Sequence, residues 1–216
     1  MIIAIDGPAG AGKSTVAQRI ARALELTFLD TGAMYRAVTL AVLESGIHPS
    51  DQGECATIAR KLVLEFDREG RILIDGEPGE PDIRSSTVTM NVSAVSAHAG
   101  VREAVVERQR EIGSRGPGIV AEGRDTTTVV FPEADHKFFL NASVDERARR
   151  RALQEGALER LDEVCADIER RDRLDTTRAH SPLKRAADAI AIEADGLSVE
   201  AVVERILEHV RRKALR

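Results

Sequence analysis

Aromatic side chains are scarce in this 216-residue chain: they make up 3%, with no Trp, one Tyr and five Phe. So few rings argue against a stacking platform for single-stranded nucleic acid and against the aromatic belts of a membrane protein. Cysteine is nearly absent, and Cys55 and Cys165 stand far apart in no disulfide, zinc or CxxC pattern, which fits a reducing, cytoplasmic setting. No apolar run approaches the ~20 residues of a membrane span. The opening Ile2-Ile3-Ala4-Ile5 lacks the basic flank and length of an export signal, so neither secretion nor a membrane is expected. Positive charge is not in excess either. With 31 Lys+Arg against 36 Asp+Glu and a net charge of −5, a dedicated nucleic-acid binder is disfavoured. His48, His98, His136, His180 and His209 have no ligand or triad spacing and are expected at the surface.

What is present is a 43% hydrophobic content, enough for a core, distributed as short apolar runs between longer helical patterns. That rhythm predicts an α/β fold with a parallel sheet. Ile2 to Asp6, Thr27 to Asp30, Gly118 to Glu122, Lys137 to Leu140 and Ala189 to Glu193 read as five buried strands. Val16, Ile20 and Leu24 share one face of a helix after the first strand, as do Val199, Val202, Ile206 and Val210 near the end. Ser143 and Glu146 offer a capping box. Residues 64 to 76 read as an inserted hairpin with its turn at Arg68-Glu69-Gly70-Arg71. Ten arginines interleaved with acids between Arg147 and Arg185 predict a helical stretch that is solvated or closes over something anionic.

Gly7-Pro8-Ala9-Gly10-Ala11-Gly12-Lys13-Ser14 matches G-x-x-x-x-G-K-[ST] directly after a predicted strand and at the start of a helix. Glycines let successive N–H groups face phosphate oxygens, and the helix adds its positive end. Gly7 through Thr15 are therefore the expected ATP-binding segment, with Lys13 on the β- and γ-phosphates and Ser14 on Mg²⁺. Asn91 and Asn141, the only asparagines, are not followed by Lys, so the N-K-x-D guanine reader is missing. Small size disfavours a motor, and a compact kinase is the expectation.

Asp30-Thr31-Gly32-Ala33-Met34-Tyr35-Arg36 follows the second strand, where α/β ligands bind. This segment, with Ile83-Arg84, Val101-Arg102-Glu103, Glu122-Gly123-Arg124-Asp125, Thr128-Val129-Val130-Phe131-Pro132 and the run from Arg171 to Pro182, resembles the bacterial cytidylate kinases over nearly the whole chain. The resemblance implies a P-loop fold in three layers, with a five-stranded parallel sheet flanked by helices, a small inserted monophosphate-binding domain and a helical lid. It implies that Thr31, Arg36, Arg124 and Arg178 hold the acceptor phosphate beside Tyr35, and that Arg84 is a further contact. By the same carry-over Ser93, Arg102 and Asp125 read cytosine, while Arg171 and Asp175 hold the sugar. Arginine suits these roles because its planar fork pairs bidentately with phosphate. One departure stands out: Thr127 occupies a position where the family often has glycine, so a left-handed backbone there would be strained.

The implied reaction is ATP-dependent phosphorylation of CMP, and of dCMP, with Lys13, Arg124, Arg178 and Mg²⁺ neutralising the transferring group. Glu122 is expected to orient Mg²⁺ through water. At least one of Arg147, Arg150 and Arg151 is expected to reach the transferring phosphate. The expected division is a core over 1–36, 101–146 and 179–216, a monophosphate-binding domain over 37–100 and a lid over 147–178, in a monomer. A P-loop kinase with another monophosphate or small-molecule acceptor, and a nucleotide-sensing module without catalysis, are the alternatives.

Overall fold

The computed structural model describes residues 1–67 and 69–214; Arg68, in the expected hairpin turn, lies outside them. Five strands form one parallel sheet: β1 (Ile2–Asp6), β2 (Thr27–Asp30), β6 (Ile119–Gly123), β7 (His136–Asn141) and β8 (Ile190–Glu193). Their order is β2-β6-β1-β7-β8, so β1 is central and both its faces are buried, which is why it reads as an unbroken apolar run. At the edge, β8 buries only Ile192 and is less buried than its sequence suggests.

The chain divides into two compact units. The first comprises Met1–Phe28, Pro117–Thr177 and Ser181–Arg216. Its core joins Ile3, Ile5, Phe138 and Leu140 of the sheet to Val16 and Ile20 of α1 (Lys13–Leu24) and to Val202, Ile206 and Val210 of α8 (Val199–Ala214). These are the faces that the four-residue spacing marks out. α6 (Val144–Glu155) and α7 (Leu161–Thr177) pack on each other. Half of the expected capping box at α6 forms. Ser143 Oγ accepts from Glu146 N, but the Ser143 N–H goes to Asp195, and Glu146 instead pairs with Arg149 and Arg150.

His136 is buried rather than at the surface, edge-on to the ring of His209, which also meets Phe138. Its strand alternates inward and outward, and position 136 falls inward.

The second unit comprises Leu29–Gly116 with Arg178–His180. It contains α2 (Thr31–Glu44), α3 (Gln52–Lys61), α4 (Ser86–Val95), α5 (Ala99–Gly113) and a three-stranded antiparallel sheet. The expected hairpin is present as β3 (Leu64–Phe66) and β4 (Ile72–Ile74), and a third strand, β5 (Glu77–Pro78), follows it. Asp75 and Gly76 have φ of 51° and 89°. A two-residue turn with both residues left-handed is what Asp-Gly favours, so this extra strand was legible in the sequence.

The loop after β6 is tied to the end of β1 by one carboxylate. Asp6, with no exposure, accepts hydrogen bonds from the N–H and hydroxyl of Thr126 and from the N–H and hydroxyl of Thr127, all at 2.6–2.8 Å. Thr127 is not left-handed. The segment Thr126–Val130 makes one wide π-helical turn instead, so threonine is accommodated without left-handed strain and supplies a hydroxyl donor. Burial raises the Asp6 pKa, and these four bonds oppose that effect. Replacing Asp6 by Asn turns an acceptor oxygen into a donor facing donors. Asp6→Asn is expected to cost about 2–3 kcal/mol in urea unfolding, and Thr126→Val or Thr127→Val about 1 kcal/mol each. Equal losses for all three would overturn this account.

Candidate active site

In the first unit the phosphate loop runs from the end of β1 at Asp6 to the start of α1 at Lys13. Gly7 is required by close approach: a Cβ there would lie 2.0 Å from the Leu140 carbonyl oxygen. Gly12, at φ 90°, makes the left-handed turn into α1. The buried Lys13 donates from Nζ to the Pro8 carbonyl at 2.8 Å. Its pKa is pulled down to about 7, by burial first and then by Arg124, against the opposing pull of Glu122, Asp6 and Asp175. Parallel pairing sets Ile5 beside Glu122 and Asp6 beside Gly123. That register brings Glu122 to the loop, where Ser14 Oγ donates to its Oε1 at 2.7 Å.

Arg124, the next residue but one, donates from Nε to Asp175 at 2.9 Å. Burial works against its charge, but Asp175 and Glu122 outweigh that and hold its pKa above the ordinary value. Asp125 is buried beside it. Arg171 and Asp175 are buried one turn apart on α7. The Arg171 pKa falls to about 10, through burial first and then the neighbouring charges of Arg124 and Arg151. Its Nε has no hydrogen-bond partner among the described residues.

Of the four arginines of α6, the three expected to reach phosphate separate clearly. Arg147 is buried and donates to the loop carbonyl of Ala9 at 2.9 Å. Arg150 turns to Glu146 and the Ala194 carbonyl, and Arg151 to Glu155. The three stand at i, i+3 and i+4 on one helix face, so what separates them is about one turn of rise, which sets Arg147 beside the loop and carries Arg150 and Arg151 past it. Asp172, which sequence reasoning missed, pairs with Arg147 at 2.6 Å. No motif singles it out among the many acids of α7.

In the second unit Asp30 caps α2, its Oδ1 accepting from Ala33 N at 2.8 Å, while its Oδ2 pairs with Arg84 at 3.0 Å. Thr31 and Tyr35 are buried on the first turns of α2. Arg36 is oriented by donating to the Ile83 carbonyl and to Thr89 Oγ1. Arg102, buried on α5, donates to the Ser96 carbonyl and lies over the Tyr35 ring, 5.0 Å from its centre. Such a cation–π contact fixes the plane of the guanidinium. Ser93 is buried on α4. Arg178 lies just beyond α7 and groups with this unit.

The cytidylate kinase family matches residues 3–212. The chain belongs to that family. A cytidylate kinase of Caldanaerobacter subterraneus subsp. tengcongensis is 46% identical over 213 residues, covering 97% of this chain and 94% of that protein. One from Geobacter sp. strain M21 is 43% identical over 219 residues, covering 99% and 94%. A bifunctional pantoate ligase/cytidylate kinase of Synechococcus sp. strain CC9902 is 48% identical over 220 residues. The match takes in 98% of this chain but only 45% of that protein, so the chain spans less than half of such relatives. Among solved structures, an uncharacterized protein from Eubacterium ventriosum shares the fold with a TM-score of 0.55 at 14% identity, covering 98% of both chains. No helix among the described residues is long and apolar enough to cross a membrane.

The two roles of Asp30 can be separated. Asp30→Ala removes a helix cap and should cost about 1 kcal/mol in thermal or urea unfolding. Arg84 keeps 49% of its side chain exposed against 8% for Asp30, and its loss leaves the Asp30 cap in place, so Arg84→Ala should cost at most about 0.5 kcal/mol. A larger loss for Arg84→Ala would show that the ion pair, not the cap, holds the start of α2.

Proposed function

We propose that this chain transfers the γ-phosphoryl group of ATP to CMP, and to dCMP, giving ADP and CDP or dCDP. The observation that carries the reading is a gathering of buried cations at the end of the parallel sheet. Lys13 at about 7 and Arg171 at about 10 are both held below their ordinary values by burial and by neighbouring positive charge. A polyanion relieves that crowding, so such a site favours phosphate ligands. The specific acceptor rests on membership of the family.

In this reading an acceptor phosphate oxygen attacks the γ-phosphorus in line, the bond to the β–γ bridging oxygen breaks, and ADP leaves with that oxygen. The acceptor is largely a dianion at neutral pH, with a second pKa near ~6, and needs no strong general base. Lys13, Arg124 and Arg178 neutralise the oxygens of the transferring group. Gly7 through Thr15 bind ATP. Thr31, Arg36, Arg124 and Arg178 receive the CMP phosphate with Tyr35 beside it, Arg84 is a further contact on the monophosphate-binding side, Ser93, Arg102 and Asp125 receive the base, and Arg171 and Asp175 the sugar. Residues 147–178 serve as the lid.

The hydroxyl of Ser14 and the carboxylate of Glu122 are hard oxygen donors in mutual contact, which suits Mg²⁺, an ion that keeps several waters and takes few protein ligands. Ser14 would hold it directly and Glu122 through water, and it would supply charge neutralisation on the phosphate oxygens. A cytoplasmic monomer completes the reading.

The test is ADP formation with ATP and Mg²⁺ against CMP, dCMP, UMP, AMP, GMP and shikimate, with Lys13→Ala as the blank. CMP-led turnover that falls by about a hundredfold or more in the blank is expected. Turnover led by another acceptor keeps the kinase and discards the acceptor assignments, and no turnover with any acceptor leaves a binding module.

A second expectation follows from Lys13. With a pKa of about 7, it is partly deprotonated at pH 7.5, and a bound triphosphate favours the protonated form. ATP binding should therefore take up protons, and affinity should fall as pH rises above about 7. Calorimetry in two buffers of different ionisation enthalpy measures the uptake. No uptake, or affinity that rises with pH, would contradict the assignment.

A further inference from the structure

Ala9 of the phosphate loop is gripped on both of its backbone groups by one pair of side chains. Its carbonyl accepts from Arg147 Nη1 at 2.9 Å, and its N–H donates to Asp172 Oδ1 at 3.3 Å. Arg147 and Asp172 pair with each other at 2.6 Å, and Arg147 is further fixed by donating from Nε to the Ala142 carbonyl at 2.9 Å. The Asp172 charge also acts on Arg124. One carboxylate of α7 thus engages a loop N–H group, the buried Arg147 and the field of Arg124. These are the kinds of partner that a phosphate oxygen uses, namely a backbone N–H of a glycine-rich loop and guanidinium groups.

We propose that Asp172 is a resident counter-anion of the phosphate loop. It satisfies the Ala9 N–H and the Arg147 charge, and it must yield when a triphosphate arrives. Two anions cannot share these donors without repulsion in a partly buried site. ATP binding is therefore an exchange of one anion for another, and its affinity is set partly by how firmly α7 holds Asp172 in place. Because Asp172 shares α7 with Arg171 and Asp175, its release gives the helix a direct way to register that the loop is filled. The proposal rests on the reading of the loop as an ATP site.

The experiment is the dissociation constant of ATP with Mg²⁺, measured by calorimetry without acceptor, for the wild-type chain and for Asp172→Asn, Asp172→Ala and Asp172→Glu. Asn and Ala remove the competing charge and are expected to tighten binding about fivefold. Glu keeps the charge and is expected to stay within about twofold of wild type. Unchanged or weaker binding in Asn and Ala overturns the proposal, since a contact that merely builds the loop would weaken ATP when lost. Equal tightening by Glu also overturns it, because geometry rather than charge would then be at work. Thermal melts confirm that each variant folds, and Glu, retaining both partners' charges, gives a second reading if Ala does not. A wild-type chain that fails to bind ATP at all would instead overturn the underlying reading of the loop.

Discussion

The buried carboxylate of Asp6 is the constraint on which the geometry of the first unit depends. It ends the central strand β1, immediately before Gly7, and takes four hydrogen bonds from Thr126 and Thr127. An unpaired charge at that depth would be prohibitive, so the carboxylate dictates where its donors must stand. Its partners lie directly after Arg124 and Asp125. The same bonds therefore fix the distance between the phosphate loop on one strand and the cationic loop on the neighbouring strand. Backbone pairing of β1 with β6 sets the register, and Asp6 extends that register past the end of the sheet, where no ladder remains to impose it.

This arrangement also explains why a threonine is accepted at position 127. A glycine would be needed if the loop turned through the left-handed region, but the chain instead widens into a π-helical turn, with Phe131 N donating to the Thr126 carbonyl at 2.8 Å. Such turns recur where a loop must present particular side chains. Thr126 and Thr127 contribute both main-chain and side-chain donors, so the turn satisfies Asp6 four times over.

The sheet was legible because burial on both faces leaves a strong local signature. Ile2-Ile3-Ala4-Ile5 and Ile119-Val120-Ala121 are continuous apolar runs, and each observed strand begins and ends within one residue of its expected bounds. The phosphate loop was legible for a different reason, since glycines, lysine and serine must fall at fixed spacing for the backbone to face phosphate. Legibility failed where the deciding partner is distant in sequence. Nothing near Arg147 announces that it, rather than Arg150 or Arg151, reaches Ala9, a residue 138 positions away. Nor does the local sequence distinguish Asp172 from the other acids of α7. The inward placement of His136 follows from strand phase, a signal that was available and that spacing between histidines does not carry.

A phosphate site costs stability to the fold that carries it. Lys13 and Arg171 are held below their ordinary pKa values, so each is less comfortable charged in the folded chain than in water. Acids offset this in part: Asp175 on Arg124, Glu122 beside Ser14, Asp172 on Arg147. Full neutralisation by protein carboxylates would make an ordinary structural ion-pair network with little affinity for anions. Incomplete neutralisation leaves a field that a polyphosphate completes, and any ligand that binds the folded state alone stabilises it by mass action. The lowered pKa values of Lys13 and Arg171 therefore mark positions where a charge is kept for binding at the expense of the stability of the fold.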